Sequence, residues 1–142
     1  MEIPVLYDLA RQQNIEVIPF PLPENKSMSL MSECGACLIG MDPSIQNGGA
    51  EERVHLGHEL GHCITGSFYN IYAALDCRQR HENRADKWAV RQIISVEELD
   101  TAIAAGYTEI WQLAEYFDVT EQFMRKAVCL YVHGNVATEL YF

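Results

Sequence analysis

The pentapeptide His58-Glu59-Leu60-Gly61-His62 limits the folds open to this chain more than any other segment, because its two imidazoles act together only on a helix. One helical residue turns about 100°, so four bring a side chain back to about 40° from its start. With His58 at zero, His62 lies at about 40°, while Leu56, Leu60, Cys63 and Ile64 fall between about 140° and 240°. The histidines therefore oppose the apolar stripe, whereas a core histidine would sit inside it. Two rings facing one way, opposite the apolar stripe, are placed to grip one metal ion. Composition alone yields about 0.02 such motifs in a chain of this length, so a third ligand is the feature to look for.

The segment from His81 to Ala89 supplies one. Ala85, Trp88, Ala89 and Ile93 recur at helical spacing and predict a second helix, on which Glu82 and Asp86 share one edge. A structural zinc site is usually closed by four protein ligands, whereas a hydrolytic site takes three and leaves the last position to water. His58, His62 and Glu82 make the second kind of set. Glu59, beside His58, is then the general base and not a ligand. Asp86 is assigned to accept the second N–H of a ligating histidine, which fixes its tautomer. Taken alone, Glu82 and Asp86 would read as a solvated helix edge paired with Arg84 or Lys87; the preceding HELGH favours ligand and orienter. His55, one turn before His58 on the same helix side, reads as a neighbour of the site, and Cys63 as core. Tyr69, Tyr72, His81 and Arg84 lie close enough in sequence to be considered as donors to a developing oxyanion.

Arg53-Val54-His55-Leu56-Gly57 running into HELGH, followed by Glu82-x-x-Ala85-Asp86-x-Trp88-Ala89, resembles the ImmA/IrrE family of metallopeptidases, in which HExxH is followed by a glutamate in an E-x-x-A-[ND]-x-[FW]-A context. The resemblance is strongest over residues 52–89. It departs at Gly57, where the family has alanine, and at Ile93-Ile94-Ser95, where a Leu-Met-Pro ending is common. The resemblance implies an α+β, zincin-like fold with a small twisted sheet beside the HExxH helix and a helical C-terminal part. It implies zinc as the metal and endopeptidase activity. The implied substrate is a protein, specifically a DNA-binding repressor of a mobile element or stress regulon. It also implies an edge strand that holds an extended peptide by backbone pairing, a role that falls to residues 36–41.

At 142 residues the chain suits one domain with a core that needs no metal to fold. It divides into an N-terminal helix and sheet (1–50), the metal-binding helices (51–94) and C-terminal helices (95–142). Pro4 opens a short helix ending near Asn14, and residues 16–18, 28–31 and 36–41 read as strands. Three prolines between Pro19 and Pro23 predict an extended connection. Ser95 with Glu98 forms a capping box, Gly106 ends that helix, and Thr108 and Thr120 are candidate caps for two more.

The formal charge of -10 repels phosphate backbones and anionic lipid, excluding nucleic acid as a favoured ligand and suiting a basic protein partner. No signal-peptide pattern or run of about 18 apolar residues is present, which predicts a cytoplasmic protein. Five cysteines, an odd number, argue against a full disulfide framework and suit a reducing compartment. Cys34-Gly35-Ala36-Cys37 is a lone C-x-x-C without the second pair of a zinc ribbon, and reads as strand or turn thiols. Two other classes compete with the peptidase. One is a zinc-binding interaction protein that does not cleave. The other is a helix-turn-helix regulator using residues 108–131, whose Arg125 and Lys126 are outnumbered by Glu109, Glu115, Asp118 and Glu121.

Overall fold

A computed structural model of the chain describes residues 1–70 and 72–142. Helix α1 (Ile3–Gln12) leads into strands β1 (Glu16–Pro19), β2 (Ser27–Met31) and β3 (Cys37–Met41), and five helices follow: α2 (Ala50–Thr65), α3 (Leu75–Ile93), α4 (Val96–Ala104), α5 (Ile110–Phe117) and α6 (Glu121–His133). The architecture is α+β, a small mixed sheet followed by helices.

The strand order is β1-β3-β2, with β1 parallel and β2 antiparallel to β3. This corrects the expectation for residues 36–41. β3 is paired on both sides and has no free backbone edge, so the peptide-holding role cannot fall there. The reason is apolar content: Cys37, Ile39 and Met41 are buried, and such a strand belongs at the centre of a sheet. Proline-bearing β1 takes one edge, as a residue without an N–H must. β2 takes the other, against α2. Because Ser32 N–H bonds the Ala36 carbonyl and Asp42 N–H bonds the Lys26 carbonyl, even-numbered residues of β2 face β3. Ladder alternation then turns the backbone groups of Ser27, Ser29 and Met31 to the open edge.

Two cores flank the α2–α3 pair. Leu6, Ile39, Met41, Ile45, Leu56 and Leu60 fill the sheet side, and Val90, Ile93, Leu99, Leu113, Met124 and Leu130 the C-terminal side, with Trp88 against both. The capping box forms, with Ser95 Oγ accepting Glu98 N–H and Glu98 Oε1 accepting Ser95 N–H, both at 3.1 Å. Thr120 caps α6. Thr108 does not cap α5: Glu109 is the capping residue, and the Gln112 side chain reaches back to both the Thr108 and Glu109 N–H groups. Buried Arg53 on α2 bonds the Asp118 carboxylate at 2.7 Å, tying the α5–α6 turn to the motif helix.

Cys37 and Cys63 form a disulfide joining β3 to α2, and Cys34, Cys77 and Cys129 are free. The C-x-x-C cysteines are therefore not partners, and Cys63 is more than an apolar filler. Its partner lies 26 residues away and meets it only through the packing of strand on helix. Among the described residues, no helix is long and apolar enough to cross a membrane.

Gly61 sets how closely α2 and α3 approach. A Cβ there would lie 2.5 Å from the Ala85 carbonyl oxygen and 3.0 Å from the Ala85 Cα, backbone atoms that cannot swing aside. Gly61→Ala is expected to cost about 1 to 3 kcal/mol through overpacking, against a gain of about 1 kcal/mol in helix propensity. A lowered urea midpoint checks this. A raised midpoint would mean that α3 is not held so close.

Candidate metal centre

The close approach at Gly61 brings Glu82, one turn before Ala85, over the two imidazoles. His58 Nε2 lies 2.8 Å and His62 Nε2 lies 3.2 Å from Glu82 Oε2, and the two ring nitrogens are 3.2 Å apart. These three ligand atoms converge on one point and could hold a metal ion.

Both rings are oriented from behind. His58 Nδ1–H donates to Asp86 Oδ1 at 2.7 Å, and His62 Nδ1–H donates to the Ser67 carbonyl, which α2 presents just past its left-handed end at Gly66. Each bond occupies Nδ1 and leaves Nε2 facing Glu82, the tautomer a ligating imidazole needs. Asp86 is itself buried, and its second oxygen accepts Lys126 Nζ from α6 at 2.9 Å. Glu82 uses its other oxygen, Oε1, to accept the Tyr69 hydroxyl at 2.8 Å.

The charges respond to this packing. Burial alone would push His58 down, but the Asp86 and Glu82 carboxylates more than reverse it and hold its pKa up to about 10. His62 is likewise opposed by burial and raised by Glu82 and the Ser67 carbonyl. Burial would raise Glu82, yet donors on His58, His62 and Tyr69 hold it well below the usual carboxylate range. Asp86, also resisting burial, is lowered by His58 and Lys126.

The centre opens into a cleft of about 810 Å³, with β2 on one side, α6 on the other, and Glu59, His62, Phe68 and Tyr69 in its wall. Glu59 is 6% exposed and is not one of the three converging ligands. Both its oxygens are bonded from β2, Oε2 by Ser27 Oγ at 2.7 Å and Oε1 by Ser29 Oγ at 2.9 Å. His55 Nδ1 meets Ser27 Oγ at 2.7 Å and does not join the ligands. Of the four oxyanion candidates, Tyr69 lines the cleft. Tyr72 is 87% exposed, Arg84 reaches Ser67 Oγ, and His81 stacks beside Tyr69. Asp86 pairs with Lys126 rather than with Arg84 or Lys87.

Sequence reasoning missed Ser27, Ser29, the Ser67 carbonyl and Lys126. The serines carried one faint signal, a Ser-x-Ser repeat that puts two hydroxyls on one strand face. Nothing local marks Lys126 or a backbone carbonyl. No family model matches the sequence, and no curated protein matches it either.

Proposed function

We propose that this protein is a zinc-dependent endopeptidase that hydrolyses a peptide bond in a protein substrate. The observation that carries the reading is the His58–His62–Glu82 triangle opening into a cleft beside Glu59. Tetrahedral zinc bonded at about 2.0 to 2.2 Å separates its ligand atoms by about 3.3 Å. Edges of 2.8, 3.2 and 3.2 Å are close to that spacing. Two imidazoles and one carboxylate are a donor set of hydrolytic zinc sites, with three protein ligands rather than the four of a structural site.

Zinc, when bound, supplies an acidified water and polarises the scissile carbonyl. Glu59 takes the proton of the attacking water and hands it to the leaving amine. Tyr69 donates its one proton to Glu82 Oε1, and serves a developing oxyanion by turning that hydroxyl from the carboxylate to the substrate oxygen. Its hydrogen bond to Glu82, with burial adding, pushes the phenol up to about 12, so it stays a proton donor at neutral pH. Peptide is held on the open edge of β2, where Ser27, Ser29 and Met31 offer unpaired backbone groups.

The resemblance points to a basic DNA-binding repressor as substrate, and a chain of charge -10 attracts such a target. Direct DNA reading by α5 and α6 is disfavoured because Lys126 turns inward to Asp86 and Arg125 pairs with Glu121. Few cations remain there for phosphate.

The test is incubation of zinc-loaded protein with unstructured peptides and with a basic helix-turn-helix repressor, new termini being read by mass spectrometry. Cleavage that a chelator stops and zinc restores is expected; no new terminus from either substrate sinks the reading. With a cleaved peptide in hand, N-methylating the amides that pair with β2 should raise KM about 2- to 10-fold each, the worth of one hydrogen bond. An unchanged KM at every position would remove the edge-strand role. Asp86→Asn is expected to weaken zinc binding roughly 10- to 100-fold, measured by chelator competition. Unaltered affinity would show that His58 is oriented without it.

A further inference from the structure

The strand bordering the cleft also grips the side chain assigned as base. Residues two apart on a strand face one side, so Ser27 and Ser29 both turn toward α2, and each takes one oxygen of the Glu59 carboxylate, at 2.7 and 2.9 Å. Ser27 is 6% exposed, so little water competes for its hydroxyl. Its hydroxyl has a single proton, which goes to Glu59 Oε2, so the 2.7 Å contact with His55 Nδ1 must be donated by the ring. His55 and Glu59 are one helical turn apart, and Ser27 bridges them. The result is a directed chain from His55 Nδ1–H to Ser27 Oγ–H to Glu59.

We propose that Ser27 and Ser29 are positioning residues for the general base, and that His55 sets the direction of the Ser27 hydroxyl. This rests on the reading of Glu59 as that base. A glutamate reaches its target through several rotatable bonds, and ordering such a side chain at the moment of reaction has an entropic cost. Two hydroxyls from a paired strand order it beforehand, and a misplacement of about 1 Å can cost roughly 100-fold in rate. The hydroxyls act on the reaction only through Glu59, and neither serine belongs to the converging ligand set.

Two readouts test it. Long-range nitrogen-15 NMR of His55 should show the Nδ1–H tautomer in the wild type and a shift toward Nε2–H in Ser27→Ala. A wild-type Nε2–H ring, unmoved by that substitution, would overturn the chain. In turnover, the Ser27→Ala/Ser29→Ala double variant should lose roughly 10- to 100-fold in kcat, with KM and zinc stoichiometry within about twofold and Ser27→Thr restoring most of the rate. Wild-type kcat in the double variant would overturn the proposal. So would a loss of kcat that follows zinc or folded protein in both the Ala and Thr variants. The tautomer is read without turnover, so a wild type that cleaves nothing sinks the peptidase reading while the spectrum still decides the hydrogen-bonded chain.

Discussion

Glu59→Gln is expected to cut peptide cleavage by roughly 100- to 10,000-fold, the range over which a positioned general base acts, while zinc stays bound at one equivalent. The amide has the shape of the carboxylate but cannot take a proton from water at neutral pH. It stands outside the His58–His62–Glu82 triangle, so the metal should not notice the change. Ser27 and Ser29 would find one acceptor and one donor in place of two acceptors, a local loss that leaves α2 and β2 packed. Metal content and kcat on one peptide, measured side by side, decide the matter. Retained cleavage at wild-type rate would remove Glu59 from the mechanism, and loss of zinc along with rate would show it to be part of the metal's support.

Glu82→Gln is expected to lower zinc affinity by at least about 100-fold, more than the loss of an orienting partner does, and to remove activity at ordinary zinc levels. The effect should depend on pH in a stated direction. A histidine must be neutral to ligate, and His58, held up to about 10 by Asp86 and Glu82, carries a proton at neutral pH. Zinc uptake by the wild type should therefore release protons, and apparent affinity should climb with pH until about 10. Calorimetry in buffers of different ionisation enthalpy reads the proton count directly. A count near zero at pH 7 would mean that the imidazoles are already neutral there.

The same groups govern stability when zinc is chelated. His58 has a pKa above its unfolded value of 6.5, so its contribution is fully present below pH 6.5 and is lost as pH rises through about 10. Glu82 and Asp86 are depressed from 4.5 and 3.8. Their contributions are present above those values and fade as pH falls below them. Urea midpoints in chelator should thus be highest between about pH 5 and 6.5, and Glu82→Gln should flatten the alkaline side by removing one of the carboxylates that raise His58.

What could be read before the structure followed from distance along the chain. Histidines four apart share a helix side whatever surrounds them. The Ser95–Glu98 box closes within one turn. The strand signals at 16–18 and 28–31 and the three prolines from Pro19 to Pro23 act over a few residues each. Glu82 and Asp86 were legible because their edge of α3 is set by the same 3.6-residue period that buries Ala85, Ala89 and Ile93. Thr108 misled because Gln112 capped more effectively from inside the helix. Residues 36–41 misled because edge and centre in a sheet are relations between strands, which no single strand encodes.

The helix of HELGH, the side its imidazoles share and the common edge of Glu82 and Asp86 on the next helix were determined by the sequence alone, since local periodicity is a property of the backbone. Tertiary structure alone decided that β3 is central and β2 open, that Cys37 finds Cys63, that Lys126 backs Asp86, and that Ser27 and Ser29 hold Glu59. Those pairs come from different elements, separated by 26 to 40 residues. Their meeting depends on how closely α2 packs on α3 and on the sheet, a distance that Gly61 and the burial of Leu56 and Leu60 set in three dimensions.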